Sequence, residues 1–140
     1  MTELFDSKVT IYNDIPKSND EERHFDRFVL EHCNIQGGVL AKIDGTIENV
    51  VNAISVITKD VKAFKPLAEY VLLSPEERKE HFTVNVGDMV VLDAVTDEAE
   101  TNAEFGALLK KYANNGFVVR SISANIHGLS VDNITMANVG

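Results

Sequence analysis

The run ENVVNAISVITK, from Glu48 to Lys59, leaves this chain the fewest ways to fold. Its middle is β-branched almost throughout, and branching at Cβ suits a pleated sheet better than a helix. As a strand it places Val50, Asn52, Ile54 and Val56 on one side, and Val51, Ala53, Ser55 and Ile57 on the other. Both sides are largely apolar, so the strand predicts burial on two faces. A chain that must cover such a strand twice has to build a sheet around it and fold that sheet over.

The neighbouring segments supply that sheet. Lys8 to Tyr12 (KVTIY) is rich in β-branched and aromatic residues and predicts a first strand. The polar stretch NDIPKSNDEE follows as a turn. His24 to Ile35 fits either period, and the Gly37-Gly38 stop favours a strand. Phe82 to Val86 alternates, Gly87-Asp88 bends the chain, and Met89 to Val95 resumes as strand. Phe117 to Ile126 predicts another strand, His127-Gly128 a turn, and LSVDNITMANV a last strand or extended tail.

Two helices carry start signals. Ser74 is an N-cap, Pro75 takes the first helical position and Glu77 completes a capping box. Thr101 caps the second, with Glu104 closing its box. There Phe105, Leu108, Leu109 and Tyr112 fall at i, i+3, i+4 and i+7, a single apolar stripe. Asn114-Asn115-Gly116 predicts a left-handed stop. Between strand and first helix lies Asp60 to Leu73, with Pro66 near its middle and no clean period. It reads as a long projecting loop, with Phe64, Pro66, Leu67 and Tyr70 as candidate contacts for a partner, or as a loop folded onto its own core. The whole predicts one mainly β domain over residues 1–140. Its form is a small barrel or sandwich of about six strands, with two short helices, a long loop and terminal segments able to extend as arms.

Composition narrows the function classes. The chain has 140 residues, 44% of them hydrophobic, which is a folded composition. No apolar run approaches the ~20 residues of a membrane span. The start, MTELFDSKVT, has neither the basic nor the apolar region of a secretory signal. Cys33 is the only cysteine, so no intramolecular disulfide forms, and assembly in a reducing cytoplasm is expected. A net charge of −9 argues against wrapping nucleic acid. Asp93, Asp97, Glu98, Glu100 and Glu104 fall in one stretch with no basic residue between them. That stretch is a solvated face, or a surface that repels DNA or docks on a basic partner.

Little in the chain points to catalysis. His24, His32, His81 and His127 form no helical metal-binding pair, and His24 and His32 lie too far apart on a strand to share an ion. Cys33 predicts a buried structural thiol. Asp88 has no acid-base partner nominated by the sequence, so Gly87-Asp88 reads as turn geometry. Neither a dinucleotide fingerprint nor a P-loop occurs. The expectation is a protein that is not an enzyme, with no cofactor and no metal.

Three stretches together resemble a known family. They are VTIYN near the N-terminus, SPEERKEHFTVNVGDMVV from Ser74 to Val91, and VVRSISANIHGLSVDNITMANVG at the end. Their order resembles small minor structural proteins of tailed bacteriophages, grouped with minor capsid and head-tail connector proteins. Thr10 to Asn13, Glu76 to Phe82, Gly87-Asp88 with Val90, and Ser121 to Ser123 carry the likeness. Val86 stands where that family usually has proline, and the ending is ANVG rather than an aromatic W-E-V-G-G.

The resemblance implies a virion protein at the phage neck, assembled in the host cytoplasm. It would form a homo-oligomeric ring of the stopper type between the portal-adaptor complex and the tail proteins. DNA would pass through its channel without specific binding, and a mobile loop would help to close that channel; Asp60 to Leu73 is the candidate. A tail terminator or other minor virion ring protein is the neighbouring alternative. A cytosolic small-ligand or regulatory binding domain is a further one.

Overall fold

The computed structural model describes residues 6–15, 24–37, 42–43, 46–47, 54–112, 115–127 and 130–138. Nine strands run through them: β1 Ser7–Ile15, β2 His24–Gly37, β3 Lys42–Ile43, β4 Thr46–Ile47, β5 Ile54–Thr58, β6 Met89–Val91, β7 Gly116–Val118, β8 Ser121–His127 and β9 Ser130–Ala137. Helices are short: α1 Leu67–Tyr70, α2 Pro75–Arg78 and α3 Asn102–Lys111, with a 3-10 turn at Val61–Ala63. β3 and β4 pair as a separate small hairpin. The other seven strands form one sheet in the order β7-β6-β1-β2-β5-β9-β8, antiparallel at each pairing.

The order of this sheet dictates its shape. β7 and β8 lie at opposite edges, yet only Val119 and Arg120 separate them in the chain. In a flat sheet the outer two of seven strands would stand roughly 29 Å apart, six spacings of ~4.8 Å. Three Cα–Cα steps reach at most ~11 Å. The sheet therefore curls into a half-barrel and brings its edges together. Val119 still bonds to the β6 side, donating to the Asp88 carbonyl at 2.7 Å and accepting from Gly87 N–H at 2.9 Å. Arg120 N–H already bonds to the Ala137 carbonyl of β9, at 2.7 Å. β7 and β8 are thus two arms of one bent strand that changes partner at its corner. The single strand expected over Phe117 to Ile126 is split in two, and the sheet has seven strands instead of about six, while the mainly β class expected from the sequence is the one found.

Both faces of the sheet are covered where β1, β2 and β6 lie together. β5, expected to be buried on two faces, is buried through Val56 and Thr58 and leaves Ser55 and Ile57 on its other side half-exposed, because α3 does not reach it. Val9 and Ile11 of β1, Leu30 and Cys33 of β2, Val56, Val90, Val119, Ile134 and Met136 fill the concave side together with Phe82 and Val84. Tyr12, Met89 and Val91 point the other way and meet Phe25, Ala99, Phe105 and Leu108. The period of two along β1 and β6 separates the two sets. α3 is the second cover. Its stripe lies on this outer face, where Phe105 stacks on Phe25 with ring centroids 4.4 Å apart and planes 11° from parallel.

Several expectations change. Asp60 to Leu73 does not project as a loop. It forms the 3-10 turn and α1, and Phe64 pairs with Phe82 in an isolated parallel bridge. Lys65 N–H donates to Phe82 O at 2.9 Å, and Phe82 N–H to Ala63 O at 3.0 Å. Pro66 opens α1 instead of interrupting it, because its carbonyl accepts from Glu69 and Tyr70 and the start of a helix needs no donor there. Phe82 to Val86 is this bridge plus a turn, not a strand.

The strand expected over Met89 to Val95 stops at Val91. Beyond it the buried Thr10 hydroxyl takes over from the ladder, donating to Asp93 O at 2.7 Å and accepting from Val95 N–H at 3.0 Å. Of Glu48 to Lys59, only the part from Ile54 on lies within the described residues. Gly116 belongs to β7 and serves close approach, since a Cβ there would lie 2.5 Å from the Val90 carbonyl oxygen. The first capping box forms as read, with Glu77 N–H on Ser74 Oγ and Ser74 N–H on Glu77 Oε1. The second does not close, because the Glu104 carboxylate accepts from Glu100 N–H at 2.8 Å, one residue upstream of the Thr101 cap.

Candidate functional site

Gly87 and Asp88 form a densely bonded polar joint. Gly87 has φ +103°, the left-handed region that glycine adopts without strain. The turn closes with Asp88 N–H on Asn85 O at 3.1 Å. The Asp88 side chain is fully buried and accepts three hydrogen bonds. They come from Asn13 Nδ2 at 2.9 Å, Asp14 N–H at 2.9 Å and Asn85 N–H at 2.8 Å. Asn13 also donates to Thr83 O and accepts from Thr83 N–H. Burial raises the Asp88 carboxyl to about 6, while bonds from Asp14, Asn13 and Asn85 pull the other way. Enclosed and committed to three donors, this carboxylate ties the end of β1 to the turn before β6.

A cleft of about 520 Å³ opens at the start of β2, lined by His24, Phe25, Asp26, Arg27, Pro75, Arg78, Lys79 and Glu98. Three groups converge on Asp26 Oδ2: the Tyr70 hydroxyl donates at 2.8 Å, His24 Nε2 lies at 3.3 Å and Arg78 Nε at 3.8 Å. Arg78 is only 8% exposed, and its Nη1 donates to Leu73 O at 3.2 Å. Burial, with the Asp26 carboxylate next, pushes the Tyr70 phenol far above its ordinary range, so it stays a donor. Arg27 lies on the other side, with Nε 3.0 Å from Glu98 Oε2 and Nη1 3.0 Å from Val95 O. Asp26, Arg27 and Arg78 belong to no motif that marks them in the sequence. The one legible signal is His-Phe-Asp, which puts His24 and Asp26 on the same face of a strand.

The nominated residues scatter. Tyr70 is buried under the cleft, Phe64 packs edge-on against Phe82 at 5.8 Å, Leu67 is half-buried and Pro66 exposed. The large apolar side chain that this segment offers to solvent is Leu72, 83% exposed. Of the acidic group, Asp93 and Glu100 are exposed and Glu98 pairs with Arg27. Asp97 takes Lys111 Nζ at 2.6 Å and the Tyr112 hydroxyl at 2.8 Å, and its carbonyl takes the Tyr12 hydroxyl at 2.7 Å. The bonds from Lys111, then Tyr112, hold its carboxyl below the usual range.

The histidines are spread out. His32 is exposed and bonds Asp60 Oδ1 at 2.8 Å, which raises its pKa. His81 Nδ1 lies 3.1 Å from Ala63 O. The side chain of His127 is outside the described residues. Among those residues no group of three or more His, Cys, Asp or Glu comes together as a metal cage. Burial pushes the Cys33 thiol up to about 12, so it stays protonated inside the core.

No curated protein and no solved structure matches the chain. The model of a family of unknown function, DUF6751, matches residues 4–137, nearly the whole length. The chain therefore belongs to the DUF6751 family, whose function is unknown.

Proposed function

We propose that this chain is a structural ring subunit at the neck of a tailed phage particle: a head-tail connector of the stopper type, joining the portal-adaptor complex to the tail and helping to retain DNA. One observation carries the reading. The three stretches that resemble such proteins, far apart in sequence, meet at a single residue. Asn13 from the first bonds the Asp88 carboxylate in the second, and Val119 from the third bonds the Asp88 and Gly87 backbone. Their contact at one point supports reading the three stretches together as one fold signature.

A ring subunit needs side chains for its neighbours and a channel wall that does not hold DNA. Leu72 is the contact this reading assigns within the 60–73 segment, and Asp93, Glu98 and Glu100 are its candidates for the channel-facing acidic surface. The test is mass spectrometry and cryo-electron microscopy of tailed particles produced with the gene intact or deleted. The chain should appear as a ring at the neck, and its deletion should leave heads that lose DNA. Density at the tail end would move it to the tail-terminator position. Complete, infectious particles after deletion would overturn the reading.

A further inference from the structure

The cleft beside Asp26 has a charge balance opposite to that of the chain. The protein carries −9 overall. The cleft is lined by three basic side chains, Arg27, Arg78 and Lys79, and two carboxylates, Asp26 and Glu98, with His24 beside them. The two carboxylates play different parts. Asp26 is built in, held by the Tyr70 hydroxyl and flanked by His24 and Arg78. Glu98 reaches in from outside; its side chain is 64% exposed and its contact with the cleft is the 3.0 Å pair with Arg27 Nε. Arg27 is fixed independently of Glu98, through Nη1 on the Val95 carbonyl. A guanidinium oriented by its own backbone contact, with an exposed carboxylate resting on it, is a preset seat for an oxyanion. The volume falls within the ~300–1,000 Å³ common for small-molecule sites. Phe25 and Pro75 add an apolar wall.

We propose that this cleft binds a small phosphate-bearing molecule. Arg27 and Lys79 contact the phosphate, Glu98 swings out to solvent, and Arg78 adds positive potential from behind, where Asp26 holds it. A phosphate group brings up to two negative charges and three acceptor oxygens against the single charge of the carboxylate it replaces. Glu98 therefore acts as a built-in competitor, so substitutions at 98 and 27 must move binding in opposite directions. The inference does not rest on the ring reading, and either can fail alone.

The experiment is an amide NMR titration of the full chain with inorganic phosphate, with chloride used to hold ionic strength constant. Saturable shifts are expected at His24 to Arg27 and at Arg78 and Lys79. Glu98→Gln should lower the half-saturating concentration about threefold, and Arg27→Gln should raise it about tenfold, as expected for loss of one charge-assisted pair. Lys79→Gln, at an exposed position, should weaken binding without touching the fold, and it serves as the test if Arg27→Gln does not fold. Absence of saturable shifts, identical shifts with chloride alone, or equal affinity in wild type, Glu98→Gln and Lys79→Gln would each overturn the proposal.

Discussion

Replacing Asp88 by asparagine tests the polar joint on which β1, the turn and the bent strand converge. The wild-type carboxylate accepts from three N–H groups. An asparagine amide keeps one oxygen and turns an NH2 toward at least one of those donors. A buried donor left without an acceptor costs ~1–3 kcal/mol, offset in part because the buried negative charge also goes. The net loss expected at pH 7.5 is about 1–2 kcal/mol, a sizeable share of the ~5–15 kcal/mol that holds a domain together.

The second readout is pH. The folded carboxyl sits at about 6 and its ordinary value is 3.8. The folded state therefore binds the proton more tightly than the unfolded state does. That contribution is fully present below the ordinary value and is lost as pH rises through 6. Between pH 7.5 and pH 5 wild type should gain on the order of 1 kcal/mol from this group, and Asp88→Asn should not. His32 also titrates with a raised pKa, but it is present in both proteins and cancels in the difference. Urea unfolding at both pH values measures the two terms. Equal stability at pH 7.5 together with parallel pH profiles would refute the reasoning.

Other perturbations follow from the same geometry. Gly116→Ala should push β7 off β6, because its Cβ would sit 2.5 Å from Val90 O; a loss of about 1–3 kcal/mol in denaturant unfolding is expected. Phe105→Ala removes the ring stacked on Phe25 and should cost about 3–5 kcal/mol by the same assay, with the strands of the concave core retained in far-UV circular dichroism. His32 should titrate above the ordinary histidine value in an NMR pH series, and Asp60→Asn should return it toward that value.

Much of the local structure was legible in the residues. Ser74 and Thr101 cap helices, the Phe105–Tyr112 stripe faces the sheet, and Gly87 takes the left-handed turn, each because the cause lies within a few residues of its effect. β-Branched and aromatic content also marked β1, and β-branching the Ile54–Thr58 part of the long run. Segment 60–73 does not project but folds onto the core, the other reading its residues allowed. Its helical form was not legible because the partners that order it, Phe82 and Asp26, come from elsewhere in the chain. The cleft was hidden for the same reason: its walls come from β2, α2 and Glu98.

The sequence by itself determined which segments extend, which coil and where the chain turns, since those depend on χ1 freedom, caps and backbone conformation at single positions. Only the tertiary structure decided that one strand would bend to join the two edges of the sheet. It also decided that Asp88 would become a buried joint and that Arg27 and Arg78 would share a cleft. The bonds behind these outcomes, Thr10 to Asp93, Tyr12 to Asp97 and Asn13 to Asp88, span 75 to 85 residues. No local preference encodes contacts over that distance; they form when burying both faces of β1 leaves those groups nowhere else to find a partner.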